Sequence, residues 1–281
     1  MLPGGGVVLG TSASRKKGDQ VRRNSIFTKR WVKGSAVLVA TAATLVFANP
    51  QQAIATPLKG VDSATVSQSA SNVVDIDFAD GIKGRITFLE DGIFRYNVDP
   101  KGEFSEYATP RSKSHTAKIQ AQPDTSDTYS KPSATVADKG DTIEITGGKA
   151  TVILDKATGK MSIKSGDRVV VSESASLDLD KKGTVQTLAK EKSENFFGGG
   201  TQNGRFLHTN QTIAISNTNN WTDGGVASPN PFYWTSDGYG VLRNTFAEGS
   251  YDFGSTDSST VTTLHSENEF DAYYFVATNE G

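Results

Sequence analysis

Residues 142–172 decide the fold. They read Thr142-Ile143-Glu144-Ile145-Thr146-Gly147-Gly148-Lys149-Ala150-Thr151-Val152-Ile153-Leu154-Asp155, then Lys156-Ala157-Thr158-Gly159-Lys160-Met161-Ser162-Ile163-Lys164-Ser165-Gly166-Asp167-Arg168-Val169-Val170-Val171-Ser172. Apolar and polar side chains alternate, so one face of each segment is sticky and the other wet. A period of two is the signature of a half-buried strand. The alternation predicts strands over 142–146, 150–155, 160–164 and 168–172. The breaks fall at Gly147-Gly148, Ala157-Thr158-Gly159 and Ser165-Gly166-Asp167, where small and Asx residues tolerate turn dihedrals. Short strands in close succession, joined by Gly-rich turns, point to an antiparallel sandwich or barrel.

The same grammar extends in both directions. Upstream, 73–78, 83–89 and 93–98 read as strands separated by Asp80-Gly81 and Asp91-Gly92, the strongest short-range hairpin signal, and closed by Asp99-Pro100-Lys101-Gly102. Residues 100–140 are polar and carry Pro100, Pro110, Pro123 and Pro132; a surface excursion is expected there, with one strand around 116–120. Downstream, strands are expected at 240–243, 250–253, 259–264 and 270–277. No stretch from 56 to 281 sustains a helical period, and no fixed-length repeat stands out. The fold class expected is all-β, an antiparallel β-sandwich over 73–281, preceded by a Ser/Thr/Ala-rich flexible leader at 56–72.

The head of the chain differs from the body. Residues 1–34 hold eight Lys/Arg against Asp19 alone, a charge of +7, while the remainder holds 21 basic and 30 acidic side chains, a charge of −9. Ser35 to Ala48 is uncharged and apolar, shorter than the ~20 residues that span a bilayer, and Ala53-Ile54-Ala55 is a small-x-small cleavage pattern. Basic head, short apolar run and cleavage pattern together predict a secretory signal peptide at 1–55 and no stable membrane span. The mature chain would begin at Thr56, secreted or held at the surface of a bacterium of Gram-positive type. Its net negative charge argues against nucleic acid as a partner. Cysteine is absent, which excludes disulfides, thiolate metal sites and cysteine nucleophiles. The three histidines, His115, His208 and His265, form no His-x-x-x-His pair, and no metal site or cofactor is expected.

Chemistry concentrates between 195 and 254. Aromatic rings, amides, one carboxylate and many glycines crowd together, as they do where sugar C–H faces stack on rings and hydroxyls pair with amides and carboxylates. Gly198-Gly199-Gly200 with Gly204 is not a dinucleotide fingerprint, because the spacing differs and no helix follows. Phe196, Phe197, Phe232, Tyr233, Trp234 and Phe246 read first as core. Trp221, among Asn and Thr, fits ligand contact and packing equally. Asp223, before Gly224-Gly225, reads on composition as a turn former, and His208 as structural.

Five motifs carry a resemblance. Phe197-Gly198-Gly199-Gly200, Trp221-Thr222-Asp223-Gly224-Gly225, Pro231-Phe232-Tyr233-Trp234, Gly238-Tyr239-Gly240-Val241-Leu242 and Tyr251-Asp252-Phe253-Gly254 occur in the order and spacing of the N-terminal domain of glycoside hydrolase family 31. Phe270-Asp271-Ala272-Tyr273-Tyr274-Phe275 resembles the segment leading to that family's catalytic barrel. The resemblance implies a galactose-mutarotase-like sandwich preceding a (β/α)8 barrel. It also implies that Asp223 is a substrate contact, with Trp221 and Asn220 as lesser candidates on the same loop. The run Phe197-Gly198-Gly199-Gly200-Thr201-Gln202-Asn203-Gly204-Arg205 departs from the common family form and resembles the branch of extracellular α-glucosyltransferases and α-N-acetylgalactosaminidases.

The family's retaining mechanism uses two aspartates on barrel strands, and no acid in this chain matches them. The chain reaches Gly281 where such a barrel should begin. The resemblance therefore implies an N-terminal domain, inactive alone, whose partners are an α-linked oligosaccharide or polysaccharide and the missing barrel. The alternative is a stand-alone carbohydrate-binding or surface module. A mutarotase would rest on fold analogy only.

Overall fold

The computed structural model describes residues 57–104, 124, 127–180 and 182–277. The expected signal peptide and the strand expected at 116–120 lie outside the described residues. In chain order the strands are β1 (Val61–Ala70), β2 (Val73–Phe78), β3 (Lys83–Glu90), β4 (Ile93–Asp99), β5 (Ala134–Asp138), β6 (Thr142–Gly147), β7 (Ala150–Asp155), β8 (Met161–Ser165) and β9 (Arg168–Ser172). They continue with β10 (Asp178–Asp180), β11 (Gly183–Ala189), β12 (Phe196–Gln202), β13 (Thr212–Ile215), β14 (Val226–Thr235), β15 (Tyr239–Arg243), β16 (Gly249–Asp252), β17 (Thr260–His265) and β18 (Phe270–Val276). No helix occurs among the described residues, so none there is long and apolar enough to cross a membrane.

These strands make three antiparallel sheets. The large sheet has the order β1-β2-β3-β4-β18-β15-β14-β12. The five-stranded sheets run β5-β6-β7-β8-β9 and β10-β11-β17-β16-β13, and a bridge between Glu173 and Leu188 links them. The meander β5–β9 follows the chain strand by strand, as its Gly-rich turns dictate. The large sheet does not: its central strand β18 inserts between β4 and β15.

Alternation sorts the side chains. Ile86, Phe88, Phe94 and Tyr96 point inward from β3 and β4, and Ile143, Ile145, Val152 and Leu154 point inward from the meander; all belong to one buried cluster. The approach is close enough that a Cβ on Gly147 would lie 2.3 Å from the Phe88 ring, so only glycine fits. At the other end Phe196 stacks on Phe253 at 4.8 Å, and Tyr233 meets Phe253 and Tyr251 edge-on at 5.3 and 5.5 Å. The result is a sandwich with one continuous core.

The flexible leader expected at 56–72 is corrected over its described part: 61–70 form β1, the edge strand paired with β2. The misreading has a physical source. An edge strand with little core beneath it buries few side chains, and in β1 only Val61 is buried. Polar groups hold the rest: Thr65 Oγ1 donates to Asp77 O at 2.7 Å, and Gln68 Nε2 to Ser71 O at 2.8 Å. β1 also bulges between Val61 and Val66 and between Gln68 and Ala70, a common device at exposed edges.

Candidate functional site

The motif residues meet at the β12 edge of the large sheet. Gly198, Gly199 and Gly200 all have positive φ, and the register with β14 slips between Gly198 and Gly200. A Cβ on Gly200 would lie 2.3 Å from Ser228 O. The glycine run therefore builds a bulge that side chains could not enter, and it swings the end of β12 toward the 216–225 loop.

Asn203 then clamps the two segments together. Its N–H donates to Gly225 O and its O accepts from Gly224 N, both at 3.0 Å, while Nδ2 donates to Asn220 O at 2.7 Å and Thr222 O at 2.9 Å. Inside the loop, Asn220 Oδ1 accepts from Thr222 N and Oγ1 at 3.0 and 2.7 Å, forming an Asx turn. Trp221 Nε1 donates to Asn219 Oδ1 at 3.0 Å, and Asn219 sits in the left-handed region. Gly225 leaves no room for a side chain, since a Cβ there would lie 2.5 Å from Asn220 Cγ.

The three residues singled out by sequence thus share one braced loop, in different postures. The Asn220 carbonyl is committed to the loop itself. The Trp221 ring is 71% exposed. Asp223 is exposed beside the Gly204 turn, and among the described residues its carboxylate accepts no hydrogen bond. Sequence reading missed Asn203, whose four bonds reach residues 17 to 22 positions away in sequence.

Aromatic residues flank this site. Phe196 and Tyr233 are buried as expected, but Trp234, which alternates outward beside Tyr233, and Phe246, in the connection between β15 and β16, are exposed and are not core. Phe197 stacks on Trp234 at 4.3 Å and touches Phe206 at 5.3 Å, and Phe206 is 75% exposed. These rings form an apolar patch on the outer face of β12 and β14, and Leu207, next to Phe206 in sequence, is exposed as well. His208 is structural: buried, with Nε2 donating to Gly198 O at 3.0 Å, and burial lowers its pKa. His265 is also buried. Its Nδ1 faces Ala247 O at 3.0 Å and its Nε2 the Tyr251 hydroxyl at 2.9 Å, and burial pushes its pKa down to about 3, so it is a neutral packing group.

The model of the glycosyl hydrolase 31 N-terminal galactose mutarotase-like domain matches residues 83–252. No curated protein matches the chain. Among solved structures, a Flavobacterium johnsoniae GH31 dextranase complexed with glucose is similar at a TM-score of 0.64 and 15% identity, covering 80% of this chain and 27% of the dextranase. A cycloalternan-forming enzyme from Listeria monocytogenes, in complex with a pentasaccharide substrate, gives 0.63 and 15%, covering 79% of this chain and 21% of that one. A GH31 α-xylosidase from a soil metagenome gives 0.56 and 16%, covering 75% and 32%. The chain thus spans about a quarter of the length of the first two. The chain belongs to the glycosyl hydrolase 31 N-terminal, galactose mutarotase-like domain family.

Proposed function

We propose that this chain is the N-terminal, carbohydrate-associated domain of a secreted family 31 α-glycosidase or α-transglycosylase. Its retaining, two-aspartate chemistry would reside in a barrel carried by the rest of the polypeptide. The Asp223 loop would form one wall of the sugar pocket. The observation that carries this reading is an exposed carboxylate that accepts no hydrogen bond from the described residues, held on a loop braced by Asn203. A carboxylate accepts hydrogen bonds from sugar hydroxyls, and a braced loop loses little entropy on binding. The apolar patch of Phe197, Phe206 and Trp234 supports a docked partner, since such patches mark interaction surfaces.

The test is Asp223→Ala in the barrel-bearing polypeptide. One lost charge-assisted hydrogen bond of about 1.5–3 kcal/mol predicts a roughly 10- to 100-fold lower kcat/KM on α-linked glucosides. The present chain alone should not hydrolyse nitrophenyl α-glycosides. An unchanged kcat/KM, or hydrolysis by the chain alone, overturns the reading. The exposed Trp221 ring favours a second reading, a stand-alone glycan-binding module. That reading requires the isolated chain to bind glycan and to lose binding with Trp221→Ala.

A further inference from the structure

A cavity of about 540 Å³ opens on the outer face of the large sheet over β2, β3 and β4, toward the end opposite the Asp223 loop. Four strand spacings separate β3 from β14, about 19 Å at ~4.8 Å each. The size falls within the roughly 300–1,000 Å³ typical of small-molecule pockets. Asn72, Arg85, Thr87, Arg95, Asn97 and Phe104 wall it. Arg85 lies opposite Asn97 across the ladder, and Thr87 opposite Arg95. Although they lie on the face turned away from the core, Thr87, Arg95 and Asn97 are 8%, 6% and 4% exposed. Polar side chains this buried need partners.

The arginines have theirs. Arg95 donates to both oxygens of Asp271 at 2.7 and 2.6 Å and to Asp124 at 2.7 Å. Arg85 donates to both oxygens of Asp75 at 2.6 and 3.2 Å and lies over the Phe104 ring at 4.6 Å. Lys131, on the rim, faces Asp127 at 3.7 Å. Among the described residues that line it, each of these cations faces a carboxylate, so they favour a neutral ligand over a phosphate or sulfate. Asn97 is different: it lines the cavity, yet its Oδ1 is buried away from solvent and has no hydrogen-bond partner, so the amide must turn to bring that oxygen to a ligand. A half-turn of its planar amide exchanges Oδ1 and Nδ2, so this wall can offer a hydroxyl either an acceptor or a donor. A neutral, hydroxyl-rich ligand satisfies such a wall, because each hydroxyl both donates and accepts.

We propose that this cavity is a second saccharide-binding site, separate from the Asp223 loop, that takes a neutral glycan with Asn97 as its central contact. It needs neither the barrel nor the pocket proposed above, and so can fail or stand independently of that reading.

The test is an NMR titration of the ¹⁵N-labelled full chain with glucose, maltotriose and isomaltotriose, with inorganic phosphate as the control. Saturable shifts are expected at the Asn97 side-chain amide and along 83–99, with a Kd on the order of 1 mM. Asn97→Ala should weaken binding about tenfold or more, the effect of one buried hydrogen-bonding group, while Asp223→Ala and Trp221→Ala leave it unchanged. Thr87→Val preserves shape and removes one hydroxyl, so it should weaken binding even if Asn97→Ala does not fold. The proposal is overturned by shifts confined to 217–225, by no saturable shift with any of the three sugars, by equal binding of phosphate, or by unaltered affinity in Thr87→Val.

Discussion

The two ends of the large sheet present the same outer face and solve it in opposite ways. At the β12 and β14 end the face is made of rings: Phe197 stacks on Trp234, and Phe206 remains largely exposed. The adjoining loop is held by backbone groups and by the side-chain amides of Asn203, Asn219 and Asn220. At the β3, β4 and β18 end the face is made of charges, with Arg95 gripped by the buried Asp271 and the partly buried Asp124. Tyr273 completes that end by donating to Asp124 at 3.0 Å. Strand alternation says which side chains face outward; it does not say what covers them. Rings tolerate partial exposure at modest cost. Buried charges do not, and must arrive with their counter-ions.

The comparison breaks first at Arg95. Arg95→Ala strands the buried Asp271 carboxylate, with Asp124 partly buried beside it, and the expected loss is about 3–5 kcal/mol in urea unfolding. A loss below about 1 kcal/mol, the worth of a surface pair, would mean that the charged end behaves like ordinary surface. Asn203→Ala probes the other end. Two side-chain hydrogen bonds in a half-exposed turn predict a smaller cost, about 1–2 kcal/mol, with faster amide exchange confined to the two loops it clamps. A cost equal to that of Arg95→Ala would erase the contrast.

The smallest effect sharpens the electrostatic side. Burial, then the neighbouring Glu267, Asp99 and Asp271 carboxylates, raise the Glu269 pKa from 4.5 to about 7. Between those values the folded chain holds this proton more tightly than the unfolded chain. The contribution is therefore fully present below pH 4.5, falls as pH rises through that window, and is gone above 7. Glu269→Gln should gain stability relative to the parent between about pH 5 and pH 8. Glu269 is half-exposed, so screening holds the change to no more than about 1 kcal/mol. Urea midpoints at the two pH values measure it, and a pH-independent difference would sink it.

What sequence could show follows from range. The meander was legible because each of its pairings closes through a turn of a few residues: β6, β7, β8 and β9 fall within one residue of the segments read from alternation. β2 and β4 were equally plain. β1 and β5 were not, because edge strands bury too little to show a pattern, and β5 buries only Ala134. The glycine run was correctly refused as a nucleotide motif, but its use as a bulge depends on the β14 backbone, more than twenty residues downstream. The outer-face cavity left no local signature at all. Arg85, Arg95 and Asn97 look like ordinary wet-face residues until Asp271, 176 positions beyond Arg95, is brought beside them.

That separation has a consequence for the order in which the molecule is made. β4 is synthesised early, yet its second neighbour in the sheet is β18, the last strand of the sandwich among the described residues. At about 5–20 residues per second, the ribosome takes roughly 10–35 s to cover the interval. Throughout it the β4 edge stands open, with Phe94 and Tyr96 on one face and Arg95 without Asp271 on the other. The meander β5–β9, whose pairings are all internal, can close during the wait. The nascent sandwich is thus most in need of a chaperone over its first-made strands, and the first half of the large sheet is secured only when β18 arrives.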